Sequence, residues 1–368
     1  MKILFLTPSL EERRGVSDYT LRLAGALRES GNDVRCISLN ERCGVFAKGG
    51  DRMSAFQPWK ERVKSLQGIL DEFLPDIVSL QFVPYGFHSK GLPIGLPNHL
   101  GSLKGAFRWH VMFHELWIGE EDHYTLFQRA TGWLQRSIIS RLASLKPVVV
   151  HTSNPEYLSR LQKIGFSSRE LPLFGNIPVS EVTSGIRPSL RLNASPALQS
   201  HEDPWIFAIF GGIHPGWDMP GFLRRLRSAR LRAGKSRCLF MRLGKGGKAG
   251  EEIWSAMQRI GGSDFSFFSL GESSPEIISQ HLQVADFGIM TTPLHLMGKS
   301  GSAVAMGEHG LPLIAVRVER VASEYPGEGI ILMDQDFEIR MSQSQKLPPR
   351  ERLVSVAERF LADLSETE

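Results

Sequence analysis

The stretch DFGIMTTPLHLMGKSGSAVAMGEHGLPLIA, Asp286 to Ala315, decides the fold class. An apolar run, Phe287 to Met290, ends in a loop containing Pro293. The small-residue turn Gly298-Lys299-Ser300-Gly301-Ser302 then opens a helical pattern that stops at Gly310. A second apolar run, Leu311 to Val316, reads as a buried strand. The unit is strand, loop, helix and strand, with glycines at the mouth of the helix. Backbone N–H groups are exposed there, Lys299 adds positive charge, and Ser300 or Ser302 can cap. Such a helix start favours an anion, phosphate above all. The same small residues also suit a turn that only needs close packing.

Outward from this unit, short apolar strands alternate with helical patterns. On the amino-terminal side they are Lys2 to Leu6, Val34 to Leu39, Ile77 to Phe82, Val111 to His114 and Pro147 to His151. Helices are expected over Asp18 to Glu29 and about Thr125 to Ser144. Residues 180–204 are polar, rich in Ser and Pro and without period, as in a linker or mobile insertion. The alternation restarts with Trp205 to Phe210, Cys238 to Leu243, Phe265 to Leu270 and Gly329 to Met333. Strands alternating with helices mean parallel sheets covered on both faces. The expected organisation is an α/β domain over 1–179, a linker over 180–204, a second α/β domain over 205–347 and a closing helix over 348–368. Ligands of such sheets bind at the carboxyl ends of the strands.

The 368 residues suffice for two cores, at 42% hydrophobic content. With 43 basic and 39 acidic residues the charge is +4, short of the footprint of a nucleic-acid binder. Three cysteines, Cys36, Cys43 and Cys238, are too scattered for a disulfide framework or a zinc site, and His110, His114 and His123 lack zinc spacing. The opening MKILFLTPSL has too short an apolar run for a signal peptide and reads as a first strand. No stretch approaches the ~20 apolar residues of a membrane span. The expected location is cytoplasmic, or peripheral at the inner face of a membrane.

The order of motifs resembles glycosyltransferase family 4. MKILFLTPSLEERRGVSDYTLRLAGAL is similar to that family's opening, and PDIVSLQFVPYGF and MFHELW to its next two signatures. VHTSNPEYLSRL and LPLFGNIPV resemble the end of its first domain, and WIFAIFGGIHPGW the start of its second. LGESSPEIISQHLQVADFGI resembles its nucleobase side, and KSGSAVAMGEHGLPLIA its donor-diphosphate helix. The resemblance implies a GT-B fold, two doubly wound Rossmann-like domains facing each other across a cleft. It implies transfer of a sugar from a nucleoside-diphosphate donor to a cell-surface polysaccharide, glycolipid or small-molecule acceptor. Retention of anomeric configuration and no obligatory metal or other cofactor are implied with it.

By the same resemblance, His114 and Glu115 are the catalytic candidates. Gly15, Val16, Gly212, Lys299, Ser300, Gly301 and Ser302 would hold the donor phosphates, and Gly271 and Glu308 the base and ribose. The first-domain loop Arg14-Gly15-Val16-Ser17 would approach from the acceptor side. A histidine at a strand end also serves as a hydrogen-bonded structural residue. Asp18 is better placed as a cap or first-turn acid than as a base.

Two departures qualify the resemblance. The family's Glu-x7-Glu pair falls on Met297 and Ala305; Glu308, three residues on, could replace the ribose contact or only cap locally. The basic residues expected after the first strand of the second domain give way to Gly212, His214, Pro215, Gly216 and Trp217. Lys299, or Arg242, Lys245 and Lys248 of RLGKGGKAG, are the other cations, although that segment also reads as a solvated turn. The missing carboxylates favour a rival reading, a non-catalytic GT-B scaffold that binds nucleotide or glycan.

Some motifs mislead. Gly298-Lys299-Ser300 mimics a phosphate loop but has Pro293 where the earlier glycine belongs. Asp334-Gln335-Asp336 spells a metal-binding triplet but follows a late strand, as a turn would. Residues 222–237, FLRRLRSARLRAGKSR, carry seven basic residues and no acid. They suit either contact with anionic lipid or a core-facing helix with a solvated arginine face.

Overall fold

The computed structural model describes residues 1–11, 15–42, 51–120, 124–181, 204–318 and 329–366. Two units form: Met1–Pro172 with Leu353–Glu368, and Leu173–Arg352. The first runs β1 (Lys2–Thr7), α1 (Val16–Glu29), β2 (Asp33–Glu41), β3 (Arg52–Ser54), α2 (Trp59–Phe73), β4 (Ile77–Phe82) and α3 (Pro84–Phe87). It continues through α4 (Leu96–Gly101), β5 (Arg108–Phe113), α5 (Leu126–Arg141), β6 (Val149–Thr152), α6 (Pro155–Gln162) and β7 (Arg169–Glu170). Its seven-stranded sheet has the order β3-β2-β1-β4-β5-β6-β7, with every pairing parallel. Helices cover both faces, so a central strand such as β4 is buried at every residue, Ser79 and Gln81 included.

The second unit runs β8 (Trp205–Phe210), α7 (Met219–Arg232), β9 (Cys238–Leu243), α8 (Lys248–Gly261), β10 (Phe265–Gly271) and α9 (Pro275–Val284). There follow β11 (Phe287–Met290), α10 (Gly301–Glu308), β12 (Leu313–Ala315), β13 (Ile330–Leu332) and α11 (Phe337–Gln343). Its sheet, also parallel, has the order β10-β9-β8-β11-β12-β13. Residues 173–181 already belong here: Ser180 N donates to Ser279 Oγ at 2.8 Å. Residues 182–203, most of the expected linker, lie outside the described residues.

The last helix, α12 (Leu353–Ser365), returns to the first unit. Its Phe360 is fully buried, stacks on Phe5 with ring centroids 5.9 Å apart and meets His110 edge-on at 5.0 Å. The helix starts at Leu353, where its apolar spacing begins and later than the expected limit at 348, because Pro348 and Pro349 keep the residues before them out of helical geometry. Strand β5 also differs from expectation: Arg108, Trp109 and His110 pair with β4, so His114 lies one residue past the strand. The polarity of Arg108 and His110 hid this start from the apolar pattern.

Candidate active site

Each sheet reverses its winding, between β1 and β4 in the first unit and between β8 and β11 in the second. Loops leaving adjacent strands in opposite senses open a crevice at the carboxyl ends at such a point. In the first unit a cavity of about 480 Å3 lies there, lined by the ends of β1, β2 and β4 and the start of α1. Ser17, Asn40, Glu41 and Tyr85 contribute polar groups, and Val16 lines it too. Glu41 is 2% exposed and accepts from Ser9 Oγ at 2.6 Å and from the Leu10 amide. Asn40 donates to the Gly86 carbonyl at 2.8 Å and accepts from Arg62 at 3.2 Å. Gly15 is the N-cap of α1 at φ 56°, so Asp18 is a first-turn acid and not the cap. Arg14 lies outside the described residues.

From His114 a hydrogen-bonded chain crosses the interior of the first unit. His114 Nε2 meets Gln81 Oε1 at 2.9 Å, and Gln81 Nε2 donates to Ser79 Oγ at 2.8 Å. Ser79 Oγ meets His110 Nδ1 at 2.7 Å, His110 Nε2 meets His151 Nδ1 at 3.0 Å, and His151 Nε2 meets Asp363 Oδ2 at 2.8 Å. Arg169 closes the chain with a 2.7 Å bond to Asp363 Oδ1. Burial raises the Asp363 carboxyl, but hydrogen bonds from Arg169 and His151 hold it below its ordinary value, so it is ionised and only accepts. His151 must therefore donate through Nε2. Burial keeps it neutral against the pull of Asp363, and its Nδ1 accepts. His110, held neutral by burial and by the charges its two histidine neighbours would carry, donates through Nε2 and accepts from Ser79.

The same polarity runs on to His114. Gln81 gives its amide N–H to Ser79 and presents its oxygen to His114, which donates through Nε2. His114 Nδ1 is then a lone-pair acceptor. Part of the residue reaches the surface, yet the ring is packed deeply, edge-on to Tyr19 at 4.7 Å, and burial pushes its pKa down to about 3. Glu115 follows, half-buried and outside this chain of bonds.

In the second unit, α10 begins just past the carboxyl end of β11. Ser300 is its N-cap and accepts from Ala303 N at 3.3 Å; the Ser300 and Ser302 hydroxyls are 3.2 Å apart. Lys299 ends the 3-10 turn Leu294–Lys299 immediately before. Across the switch point, the loop after β8 comes close. Gly211 has φ 81°, a left-handed conformation, and a Cβ there would touch Ser302 at 3.5 Å. The Gly212 carbonyl accepts from Thr291 Oγ1 at 3.3 Å, and His214 N donates to the same hydroxyl at 3.0 Å. Two residues that sequence reasoning missed join them. The Asn176 carboxamide lies beside Gly301, and its buried oxygen makes no hydrogen bond among the described residues. The Arg317 guanidinium stands 3.6 Å from the Cβ position of Gly216, and its charge adds to burial in lowering the pKa of His214.

No protein-family model matches the chain, and no curated protein matches it in sequence. Solved structures match along its whole length. UDP-GlcNAc 2-epimerase from Neisseria meningitidis, bound to UDP-GlcNAc, is 11% identical at a TM-score of 0.54 and covers 100% of both chains. The lipopolysaccharide outer core galactosyltransferase WaaB, in its apo form, is 12% identical at 0.54, covering 100% of this chain and 99% of its own. The catalytic domain of starch synthase IV from Arabidopsis thaliana, bound to ADP and acarbose, is 11% identical at 0.53, with coverage of 100% and 99%. The fold is GT-B. At such low identity the likeness carries architecture and leaves chemistry to the site.

Within the GT-B frame, the second unit brings Gly212, Lys299, Ser300, Gly301 and Ser302 to one switch point, and the first places Gly15 and Val16 at the other. Gly271 ends β10, an edge strand two places from β8, where its carbonyl accepts from Gly244 N at 2.9 Å. Glu308 lies apart from these residues. It sits at the far end of α10, about 10 Å along the axis from Gly301, and is 2% exposed. Its Oε1 accepts from Gly175 N at 3.0 Å and Arg352 N at 3.2 Å, which makes it a backbone anchor. A Cβ on Gly175 would stand 2.6 Å from Glu308 Oε2, so only glycine permits that approach.

Three other sequence features resolve as structural. Arg242 is tied to Glu251 at 2.7 Å and stacks over Trp254. Asp334 and Asp336 flank a turn clasped by Arg340. At 222–237, α7 buries Phe222, Leu223, Leu226 and Ala229 in the core, as the core-facing alternative expects. Its Arg225 pairs with Glu338 at 2.7 Å, and Arg227 and Arg230 pair with Asp264 at 3.0 and 2.9 Å.

Proposed function

We propose that this GT-B chain is a glycosyltransferase that moves a sugar from a nucleoside-diphosphate donor to a polysaccharide, glycolipid or small-molecule acceptor. One observation carries the reading: α10 opens at the β8–β11 switch point with two adjacent hydroxyls, and the glycine loop of β8 lies against it. Unpaired N–H groups and the helix dipole at that start favour the charge that builds on a leaving diphosphate. Lys299 and Arg317 supply cationic side chains at the same end of the sheet, which supports transfer without an obligatory metal. Resemblance adds retention of configuration.

The first unit would take the acceptor in its β1–β4 cavity. With a pKa of about 3, His114 is too weak a base to remove a proton near neutral pH. Its role in this reading is to accept a sugar hydroxyl at Nδ1 and fix its orientation, as effective positioning requires. A second reading, a nucleotide- or glycan-binding scaffold without catalysis, is favoured by apolar residues at the two positions where the resembling family has glutamates. Ala305 is fully buried, and Met297 packs against the core beside it.

The test is thermal stabilisation by UDP, GDP, CDP, ADP and dTDP, each with and without magnesium. A ligand at 100 times its Kd adds about 2.7 kcal/mol. One diphosphate should stabilise the protein, and Lys299→Ala should weaken its binding by about 1.5–3 kcal/mol, the value of a charge-assisted hydrogen bond. No stabilisation by any of the five overturns the donor site. Stabilisation without turnover of any matching nucleotide sugar selects the scaffold, and an epimerised donor formed without acceptor excludes transfer as the primary activity.

A further inference from the structure

Helix α5 is built inside out. It packs inward with Thr131, Gly132 and Gln135 ahead of Ile138 and Ile139. Gly132 lies so close to the Ile118 carbonyl that a Cβ would fall 1.8 Å from that oxygen, and Gln135 bonds Ile118 N at 3.0 Å and Gly91 O at 3.2 Å. The large apolar side chains point the other way: Leu126, Phe127 and Trp133 are 86%, 79% and 69% exposed. Burying such side chains is ordinarily what fixes a surface helix to its core. Here small and polar residues do the fixing. A Thr125–Gln128 capping box holds the first turn, so Leu126 and Phe127 are presented on an ordered element.

The charge on this helix has one sign. Residues 126–141 contain Arg129, Arg136 and Arg141 and no Asp or Glu. The contacts of the last two are neutral: Arg136 stacks over Trp117 at 5.6 Å, and Arg141 bonds the Ile94 carbonyl and Asn98 Oδ1. At 16 residues the helix is about 24 Å long, and among the described residues no helix is long and apolar enough to cross a membrane. Exposed aromatic and aliphatic side chains flanked by arginines suit a helix lying in the plane of a bilayer interface.

We propose that α5 docks the protein on an anionic lipid surface, with Leu126, Phe127 and Trp133 inserted among the acyl chains and the arginines against the headgroups. Charge selects lipid over a second copy of the chain. A symmetric pair would bring six arginines into one interface with no acid on either helix to meet them. Anionic headgroups supply that missing charge. The inference does not depend on which reaction the protein performs.

The experiment is flotation of the full-length protein with vesicles of phosphatidylcholine alone or of an equimolar mixture with phosphatidylglycerol. Binding is expected to the mixed vesicles, to weaken in high salt, and to blue-shift tryptophan emission. Phe127→Ser/Trp133→Ser should lose at least about tenfold in partitioning while its melting temperature holds, since both side chains are already in water. Arg136→Glu should lose binding to the mixed vesicles selectively. Absence of binding by the wild type, or binding that neither variant changes, overturns the proposal. A dimer in sedimentation that Phe127→Ser/Trp133→Ser dissociates would assign the face to a second copy instead.

Discussion

Acidification should destabilise the protein through His110. This residue is fully buried, bonded to Ser79 at 2.7 Å and His151 at 3.0 Å, and covered by the Phe360 ring. Burial first, then the charges His151 and His114 would carry, keep its pKa well below 6.5. The unfolded chain takes up a proton near pH 6.5 that the native state refuses. The stability is thus fully present above pH 6.5 and is lost as pH falls from there towards the lowered native value. One such group changes stability by about 1.4 kcal/mol per pH unit, so His110 alone removes about 2 kcal/mol between pH 6.5 and 5.0. His151 is also buried and is shifted in the same direction, against the pull of Asp363, so it adds to the loss. Even the His110 loss alone is a sizeable part of an ordinary 5–15 kcal/mol. Urea unfolding of wild type and His110→Gln at half-unit pH steps isolates the effect, because titrating groups away from His110 and its two histidine neighbours cancel in the difference. That difference should shrink by about 1.4 kcal/mol per unit below pH 6.5. A difference that stays level from pH 7.5 to 5.0 would refute the reasoning, since His110 would then titrate alike in both states.

Asp363→Asn removes the charge that sets the polarity of the chain of bonds, so long-range nitrogen–proton NMR should find His114 an Nε2–H tautomer in the wild type and a mixture in the variant; a mixture in the wild type sinks the assignment. Phe360→Ala should cost about 3–5 kcal/mol, as truncation of a fully buried Phe does, read as a lowered urea midpoint at unchanged m-value. Glu308→Gln should lose about 1.5–3 kcal/mol of stability through its bonds to the Gly175 and Arg352 amides and leave nucleotide affinity unchanged. A nucleotide-binding defect in a variant of full stability would restore Glu308 to the ribose.

The fold was legible wherever burial on both faces erased alternation. The limits read for Ile77–Phe82, Trp205–Phe210, Cys238–Leu243 and Phe287–Met290 are those of β4, β8, β9 and β11. Strands β3 and β7 were not read, because three and two residues with arginines among them make no pattern. The start of α10 was legible because glycine and serine mark a helix mouth by their own chemistry. Arg317 was not, since one arginine after an apolar run carries no spacing; only the fold lays it over Gly216. The backbone contacts of Glu308 were hidden for a related reason. In a helix of eight residues, position alone does not say which end meets backbone amides from two distant segments.

The chain of bonds behind His114 is illegible for a deeper reason: its meaning lies in direction, which no single residue holds. Ser79, Gln81, His110 and His151 each look like a polar interruption of a strand. Every one of them can be turned either way as donor or acceptor. Only Asp363, 212 residues beyond His151, cannot. A proton added to His151 would let it donate at both nitrogens and reverse each bond up to His114, which would then offer an N–H from Nδ1 in place of a lone pair. Burial that keeps His151 neutral and Arg169 that keeps Asp363 ionised therefore act on one outcome. The return of α12 to the first unit supplies more than the packing of Phe360. It delivers the one fixed charge from which the acceptor character of His114 follows.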